Sequence, residues 1–349
     1  MKRWLLPETG NFYKANLHLH TTVSDGVWSP EEAKRRYAER GYSILAFTDH
    51  EVFVPHNDLT DRDFLALNAH EIGVNEATIR GSRFQKTYHL NFYAKSRDTA
   101  LSPVFSESRI DKPSFAAHVT DEMRKTDVRA DYSTQSINDL IRTGNENGFF
   151  VCYNHPAWSL QNYPDYCGLE GLWGIEVYNT SCVVEEMPDT TVPFDDLLRL
   201  GRDVFPVCSD DAHIEPDLFG GWTMIRAKKL DYDAVIDALL SGDFYSSTGP
   251  EIRELYVEDG VLTLKTDEIR RVRVITDWRS YSAARSIFPV REGDDFVARF
   301  PIGRLADKYR AETDPGWRDS YFRLEAEGCD GTRAYTRAFR VGRFPELFK

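Results

Sequence analysis

The chain has 349 residues, with 43 Lys and Arg against 56 Asp and Glu and a formal net charge of −13. That acidic balance is expected to exclude duplex nucleic acid as a partner, because duplex binding draws on counterion release by a basic surface. With 41% apolar and 13% aromatic residues the chain is rich enough to fold, and its length suggests two domains or one large domain with an appendage.

The N-terminus, "MKRWLLPETGNFYK", carries positive charge but only a short apolar stretch before Pro7, too short for a signal peptide. No run approaches the ~20 apolar residues that span a bilayer, so no membrane partner is expected. The five cysteines, Cys152, Cys167, Cys182, Cys208 and Cys329, are odd in number and form no C-x-x-C pair. A reducing, cytoplasmic location is the expectation.

Up to about residue 249, strand-length apolar runs alternate with helical patterns. In chain order the runs are "ANLHLH", "SILAFTDH", "FLALNAHEIGV", "YHLNFYA", "FFVCYNHP", "GIEVYN" and "VFPVCSDDAH". "SPEEAKRRYAERG" predicts a helix capped by Ser29, with Pro30 in its first turn and Gly41 after its end. "STQSINDLIRTGNENG", "PFDDLLRLG" and "DYDAVIDALLSG" predict three more, the last capped by Asp231 or Asp233. Such alternation predicts a parallel sheet, and seven strands favour barrel-like closure. Residues 97–133 interrupt the rhythm as a long loop, with one helix expected from Ser114 to Lys125. After "STGPEI" the pattern turns to short alternating strands with "DG" turns and no helical period before 303–312. The expected division is residues 1–249 and a small antiparallel β unit over 250–349.

Ligand-type side chains fall at the run ends. His18 and His20 close the first run, with Asp25 following. His50 closes the second, Glu71 lies late in the third, His89 opens the fourth, His155 closes the fifth, and Asp211 and His213 close the seventh. In parallel α/β folds these ends meet at one mouth. The strand period of two puts both imidazoles of "HLH" on one face. A set rich in His and carboxylate and free of thiolate suits Zn, Mn or Fe. Asp49 and Asn179 are expected to orient ligands rather than bind. Asp210 should point away from Asp211, and His70 away from Glu71. His56 and His118 lie in loops and are expected at the surface.

Taken in order, "HLHTTVSDG", "FTDH", "HEIG", "NHP", "IEVYN" and "SDDAH" resemble the PHP (polymerase and histidinol phosphatase) family over about residues 12–250. The resemblance implies a distorted (β/α)7 barrel and a trinuclear centre of two to three divalent ions. By it, His18, His20, Glu71 and Asp211 would hold one metal. Glu71 would bridge to a second held by His89 and His155. Asp25, where many relatives carry His, would hold the third with His50 and His213. "GDFYSSTGPEI" before a β domain resembles the CehA/McbA branch of the family.

The expected activity is phosphoester hydrolysis on a small phosphorylated substrate, with cations clamping the phosphate and activating water. His213 or Asp211 would protonate the leaving group through a water. Arg109, Lys112 and Arg124, with Arg80, Arg83 and Lys86, are the candidate phosphate contacts. A carbamate, ester or amide hydrolase and a non-catalytic PHP-like module are the rival readings.

Overall fold

Each of the seven apolar runs forms a strand in the computed structural model, which describes residues 2–77, 85–187, 190–277, 286–304 and 320–343. The strands begin with β1 (Lys2–Trp4), β2 (Asn11–Asn16), β3 (Ile44–Phe47), β4 (Leu65–Asn75) and β5 (Thr87–Ala94). They continue with β6 (Phe149–Tyr153), β7 (Gly174–Asn179), β8 (Phe205–Ser209), β9 (Trp222–Ala227) and β10 (Phe244–Ser247). Beyond them lie β11 (Ile252–Glu258), β12 (Val261–Thr266), β13 (Arg271–Thr276), β14 (Ser286–Ile287) and β15 (Val290–Glu292). The last are β16 (Asp295–Pro301), β17 (Tyr321–Glu327), β18 (Arg333–Thr336) and β19 (Phe339–Arg340).

The helices are α1 (Pro30–Glu39), α2 (Pro113–Ala116), α3 (Asp121–Arg124) and α4 (Thr134–Glu146), then α5 (Tyr163–Tyr166), α6 (Thr180–Val184), α7 (Val192–Arg199) and α8 (Tyr232–Ser241). Ser29, Ser133 and Asp231 cap α1, α4 and α8, each side chain accepting from a first-turn N–H. The helix expected over residues 114–125 is instead two short ones, α2 and α3. Thr120 accepts from Met123 N–H and so starts a new helix inside the stretch. Most of the helical stretch expected over 303–312 lies outside the described residues.

The fold is mixed α/β and rich in sheet. β2, β3 and β4 are parallel, as are β6, β7 and β8. β5 between them is antiparallel to both neighbours, against the expectation of an all-parallel sheet. The reason is the connection: only residues 76–86 separate β4 from β5, and a parallel crossover needs a dozen or more. Two strands the sequence reading missed extend the sheet: β9 runs antiparallel beside β2, and β10 antiparallel beside β9. β10 then pairs with β18, so the later strands β13, β14, β17 and β18 extend the same sheet. A second, five-stranded antiparallel sheet holds β1, β11, β12, β16 and β15.

Past its last residue β2 runs on in parallel register with the continuation of β8. Asp211 N–H donates to His18 O at 2.8 Å and His20 N–H to Ala212 O at 3.0 Å. That pairing places "HLH" and "DDAH" side by side. The apolar faces of β4 to β8 pack under α4 and α7, through Leu140, Ile141, Phe194 and Leu197. Among the described residues no helix is long and apolar enough to cross a membrane.

Candidate metal centre

His18 and His20 are fully buried and share one face of the chain beyond β2, their Nε2 atoms 3.2 Å apart. Asp211 Oδ1 lies 3.1 Å from the first and 3.0 Å from the second. Glu71, on β4, reaches the same pair at 3.3 and 3.4 Å. Its carboxylate also lies 3.2 Å from His89 Nδ1, 3.5 Å from His155 Nε2 and 3.1 Å from His50 Nδ1. Because β5 is antiparallel to β4, the start of β5 lies at the mouth. That explains why His89 opens its run rather than closing it.

Asp25 sits on the far side of His20. Its Oδ1 lies 3.4 Å from His213 Nε2, 3.8 Å from His50 Nε2 and 3.8 Å from His20 Nδ1. All nine side chains expected as ligands therefore converge. Their donor atoms form groups able to hold a cation: His18, His20 and Asp211; Glu71, His89 and His155; and Asp25, His20, His50 and His213.

Local backbone explains the convergence. Asp49 accepts from Thr21 N–H at 2.7 Å, Thr21 Oγ1 at 2.9 Å, Ser24 N–H at 3.1 Å and Ser24 Oγ at 2.7 Å. It thereby folds the loop that carries Asp25. Gly26 closes that loop against His20, where a Cβ would fall 2.1 Å from His20 O. Since the clash is with backbone, Gly26→Ala is expected to displace Asp25 and weaken the cation site there by about 10–100-fold. Calorimetric metal titration checks this, and an isotherm identical to the parent's would contradict it. His155 and Asp211 have φ of 25° and 53°. Left-handed backbone in non-glycine residues is held at a cost of roughly 1–3 kcal/mol, and such strain concentrates at functional sites.

Several neighbours went unread in the sequence. Glu176 on β7 accepts from His18 Nδ1 at 2.8 Å and from His155 N–H at 3.0 Å. It also accepts from Ser209 Oγ and from Asn179 Nδ2. A carboxylate in the otherwise apolar run "GIEVYN" was the available signal. Asn154 donates to Glu71 Oε1 at 2.7 Å. Asn179 donates to both Glu176 and Asp211, the orienting role expected of it. Asp210 turns away, as expected, and accepts from Tyr37, Thr180 and the backbone of residues 219–221. His70 packs among Phe53, Phe92 and Phe149 and bonds Ser102. His56 is not at the surface as expected: it is buried against Phe47. His118 is partly exposed.

Of the phosphate-contact candidates, Lys112 reaches the cluster, its Nζ 2.8 Å from Asp25 Oδ2. Arg109 is committed to Glu51 at 2.6 Å and to the carbonyls of Val128 and Val104. Lys86 pairs with Asp165, and Arg124 with Glu107 and Asp121, all away from the ligand cluster. Arg80 and Arg83 lie outside the described residues.

Burial opposes charge on His18, His20, Asp25, His50, Glu71, His89 and Asp211. For His18 the nearby Asp211, Glu71 and Glu176 outweigh it and hold the imidazole's pKa well above the usual range. For His20 the carboxylates of Asp211 and Glu71 overcome burial and lift it to about 10. The imidazoles in turn hold Glu71 and Asp211 well below the carboxylate range despite their burial. Asp25 is lowered the same way by His213, His50 and His20. His50 is pushed well down, by burial and then by His20.

The pocket thus demands positive charge. Asp25 Oδ1, Glu71 Oε2, His89 Nδ1 and Asp211 Oδ1 are buried with no hydrogen-bond partner. Each such atom costs about 1–3 kcal/mol when left unsatisfied. Divalent cations answer both features, so the donor set fits them.

The proton on His20 stabilises the cation-free fold fully below the unfolded value near 6.5 and is lost as pH rises through about 10. A cation supplies that charge without a proton. The gain in Tm on adding Mn is therefore expected to grow as pH rises from about 6 to about 9. Thermal melts across that range check this, and a gain that shrinks would contradict it.

No protein-family model matches the chain, and no curated protein does. Solved structures do. A two-domain protein containing a predicted PHP-like metal-dependent phosphoesterase, from Bacteroides vulgatus, matches at 15% identity and TM-score 0.45, covering 97% of this chain and 98% of that one. An amidohydrolase from Chromobacterium violaceum, with bound sulfate and no metal, matches at 19% identity and TM-score 0.36, covering 57% and 87%. The lesion-specific endonuclease EndoQ from Pyrococcus furiosus matches at 13% identity and TM-score 0.41, covering 66% and 56%. The structural neighbours thus include a PHP-like metal-dependent phosphoesterase. At these identities and scores the functional reading rests on the side chains. One expectation is corrected: a small phosphorylated substrate with duplex nucleic acid excluded. An endonuclease stands among the matched structures, and a charge summed over the whole chain does not describe the surface around one cleft.

Proposed function

We propose that the chain is a metal-dependent phosphoesterase with a trinuclear centre of Zn, Mn or Fe. The convergence of nine ligand-type side chains from the ends of separate strands carries this reading. His18, His20, Glu71 and Asp211 would hold one cation. Glu71 would be shared with a second, held by His89 and His155. Asp25, His50 and His213 would hold a third, with His20 beside them. We read β2 to β8 as a distorted (β/α)7 barrel, and residues 250–349 as an accessory β unit.

When bound, such cations lower the pKa of a water toward ~7 and offset the charge that develops on a phosphoryl group. The chain's own part is orientation. Glu176 accepts a hydrogen bond from His18 Nδ1–H and leaves Nε2 facing the cluster. Ser159 bonds His155 Nδ1 at 3.2 Å, and Asp211 O bonds His213 Nδ1 at 2.9 Å, with the same effect. Lys112 adds a cation at the rim, where a phosphoryl oxygen can meet it. Of His213 and Asp211, the first, at the edge, is the group assigned to leaving-group protonation through a water, since Asp211 is held ionised.

Chelation is expected to silence turnover, with Mn, Zn or Fe restoring it, in a panel of phosphomonoesters, phosphodiesters, aryl esters and carbamates. Activity in protein shown by elemental analysis to be metal-free would contradict the reading. Dominant turnover of carbamates or carboxylic esters would favour the rival hydrolase class.

A further inference from the structure

An open-sided pocket adjoins the ligand cluster. His155, Glu176 and Asn179 form its inner end, and Trp158, Tyr178 and Val183 are among its walls. Among the described residues no Lys or Arg lines it. Both oxygens of Glu176 are already taken by His18, Ser209, Asn179 and the His155 N–H, so its charge is committed away from the pocket.

The aromatic walls are fixed. Trp158 donates its indole N–H to Glu185 at 2.8 Å and meets the His155 ring edge-on, with centroids 5.1 Å apart. The Tyr178 ring lies against the backbone of Gly220 and Gly221. A Cβ at Gly221 would fall 2.7 Å from Tyr178 Cδ1, and one at Gly220 3.0 Å from its hydroxyl. Only glycine lets the ring lie so close. The N–H groups of both glycines are in turn held by Asp210.

Two anchored aromatic rings, an aliphatic wall and no cation make a poor seat for a second phosphate and a good one for a flat apolar ring. We propose that this pocket receives a planar aromatic ring, aryl or nucleobase, carried by the substrate next to its scissile group. The proposal rests on the metal-centre reading above, and Trp158 and Tyr178 become specificity-determining residues for it.

The test is calorimetric titration of the metal-loaded full-length protein with phenylphosphonate and with methylphosphonate. Phenylphosphonate is expected to bind more tightly by about 5- to 150-fold, the range that aromatic stacking supplies. A second arm compares a nucleoside 5′-monophosphate with ribose 5-phosphate. A preference confined to the first arm assigns an aryl group, and a preference confined to the second a nucleobase. Trp158→Ala should narrow the ratio toward one, with its metal content checked by elemental analysis. Val183→Arg, at an exposed position that folding tolerates, should narrow it independently by filling the pocket. Binding without aromatic preference in either arm would overturn the pocket proposal alone. No binding of any probe to metal-loaded protein would overturn the metal-centre reading, and this proposal with it.

Discussion

Asp211→Ala is expected to abolish turnover and remove at least one cation while the chain stays folded. Asp211 Oδ1 lies 3.1 Å from His18 Nε2 and 3.0 Å from His20 Nε2, and its other oxygen lies 3.6 Å from His155 Nε2. Truncation takes away a carboxylate proposed to hold one cation together with His18, His20 and Glu71. The loss in kcat/KM should exceed the roughly 10–100-fold that follows when only a partner of a metal ligand is removed. The fold should survive, because the Asp211 link to β2 is made by its backbone N–H, which alanine keeps. The left-handed φ of 53° is less comfortable for alanine, so a modest fall in Tm accompanies the change. Turnover of the best phosphoester substrate, elemental analysis and circular dichroism check the three parts. Parental activity in the variant would refute the site.

Arg323→Ala is expected to cost about 3–5 kcal/mol of stability, the range for removing one partner of a buried ion pair. The Arg323 side chain is 0% exposed. It binds Asp195 on α7 through two bonds of 2.8 and 2.7 Å, and Glu325 at 2.7 Å. Tyr321 adds a hydroxyl bond to Asp195. Without the guanidinium Asp195 and Glu325 lose their shared cation, Glu325 keeping the more distant Arg273 at 3.7 Å. Because Arg323 lies on β17 and Asp195 on α7, the pair fastens the later strands to the part of the chain that builds the site. Urea unfolding of the metal-loaded protein measures the loss, and a change below about 1 kcal/mol would contradict this account.

The convergence of the nine ligand-type residues was legible because they are chemically conspicuous and sit at strand ends. A strand end is a local feature of sequence, and His or Asp after an apolar run stands out. The direction of β5 was less legible, since it depends on how little chain separates β4 from β5 rather than on the residues of β5. β9 and β10 were missed because α8 separates them, so no hairpin turn joins the pair. Their partners, β2 and β18, are far away in sequence.

Arg109 shows the opposite limit. As a loop arginine it read as a phosphate contact, yet a glutamate 58 positions earlier claims it. Glu51 is itself pushed up by burial, with Arg109 and the Gly73 N–H pulling it back down. Nothing local in the sequence announces that pairing. Glu176 lay between these cases. Its place in a buried strand was visible, but its partner His18 stands 158 positions away.

The central claim is that this cluster is built to hold cations, and metal stoichiometry tests it most directly. Protein stripped by chelation, reloaded with Mn or Zn and desalted is predicted to retain two to three equivalents per chain by elemental analysis. Retention of less than one equivalent would contradict it.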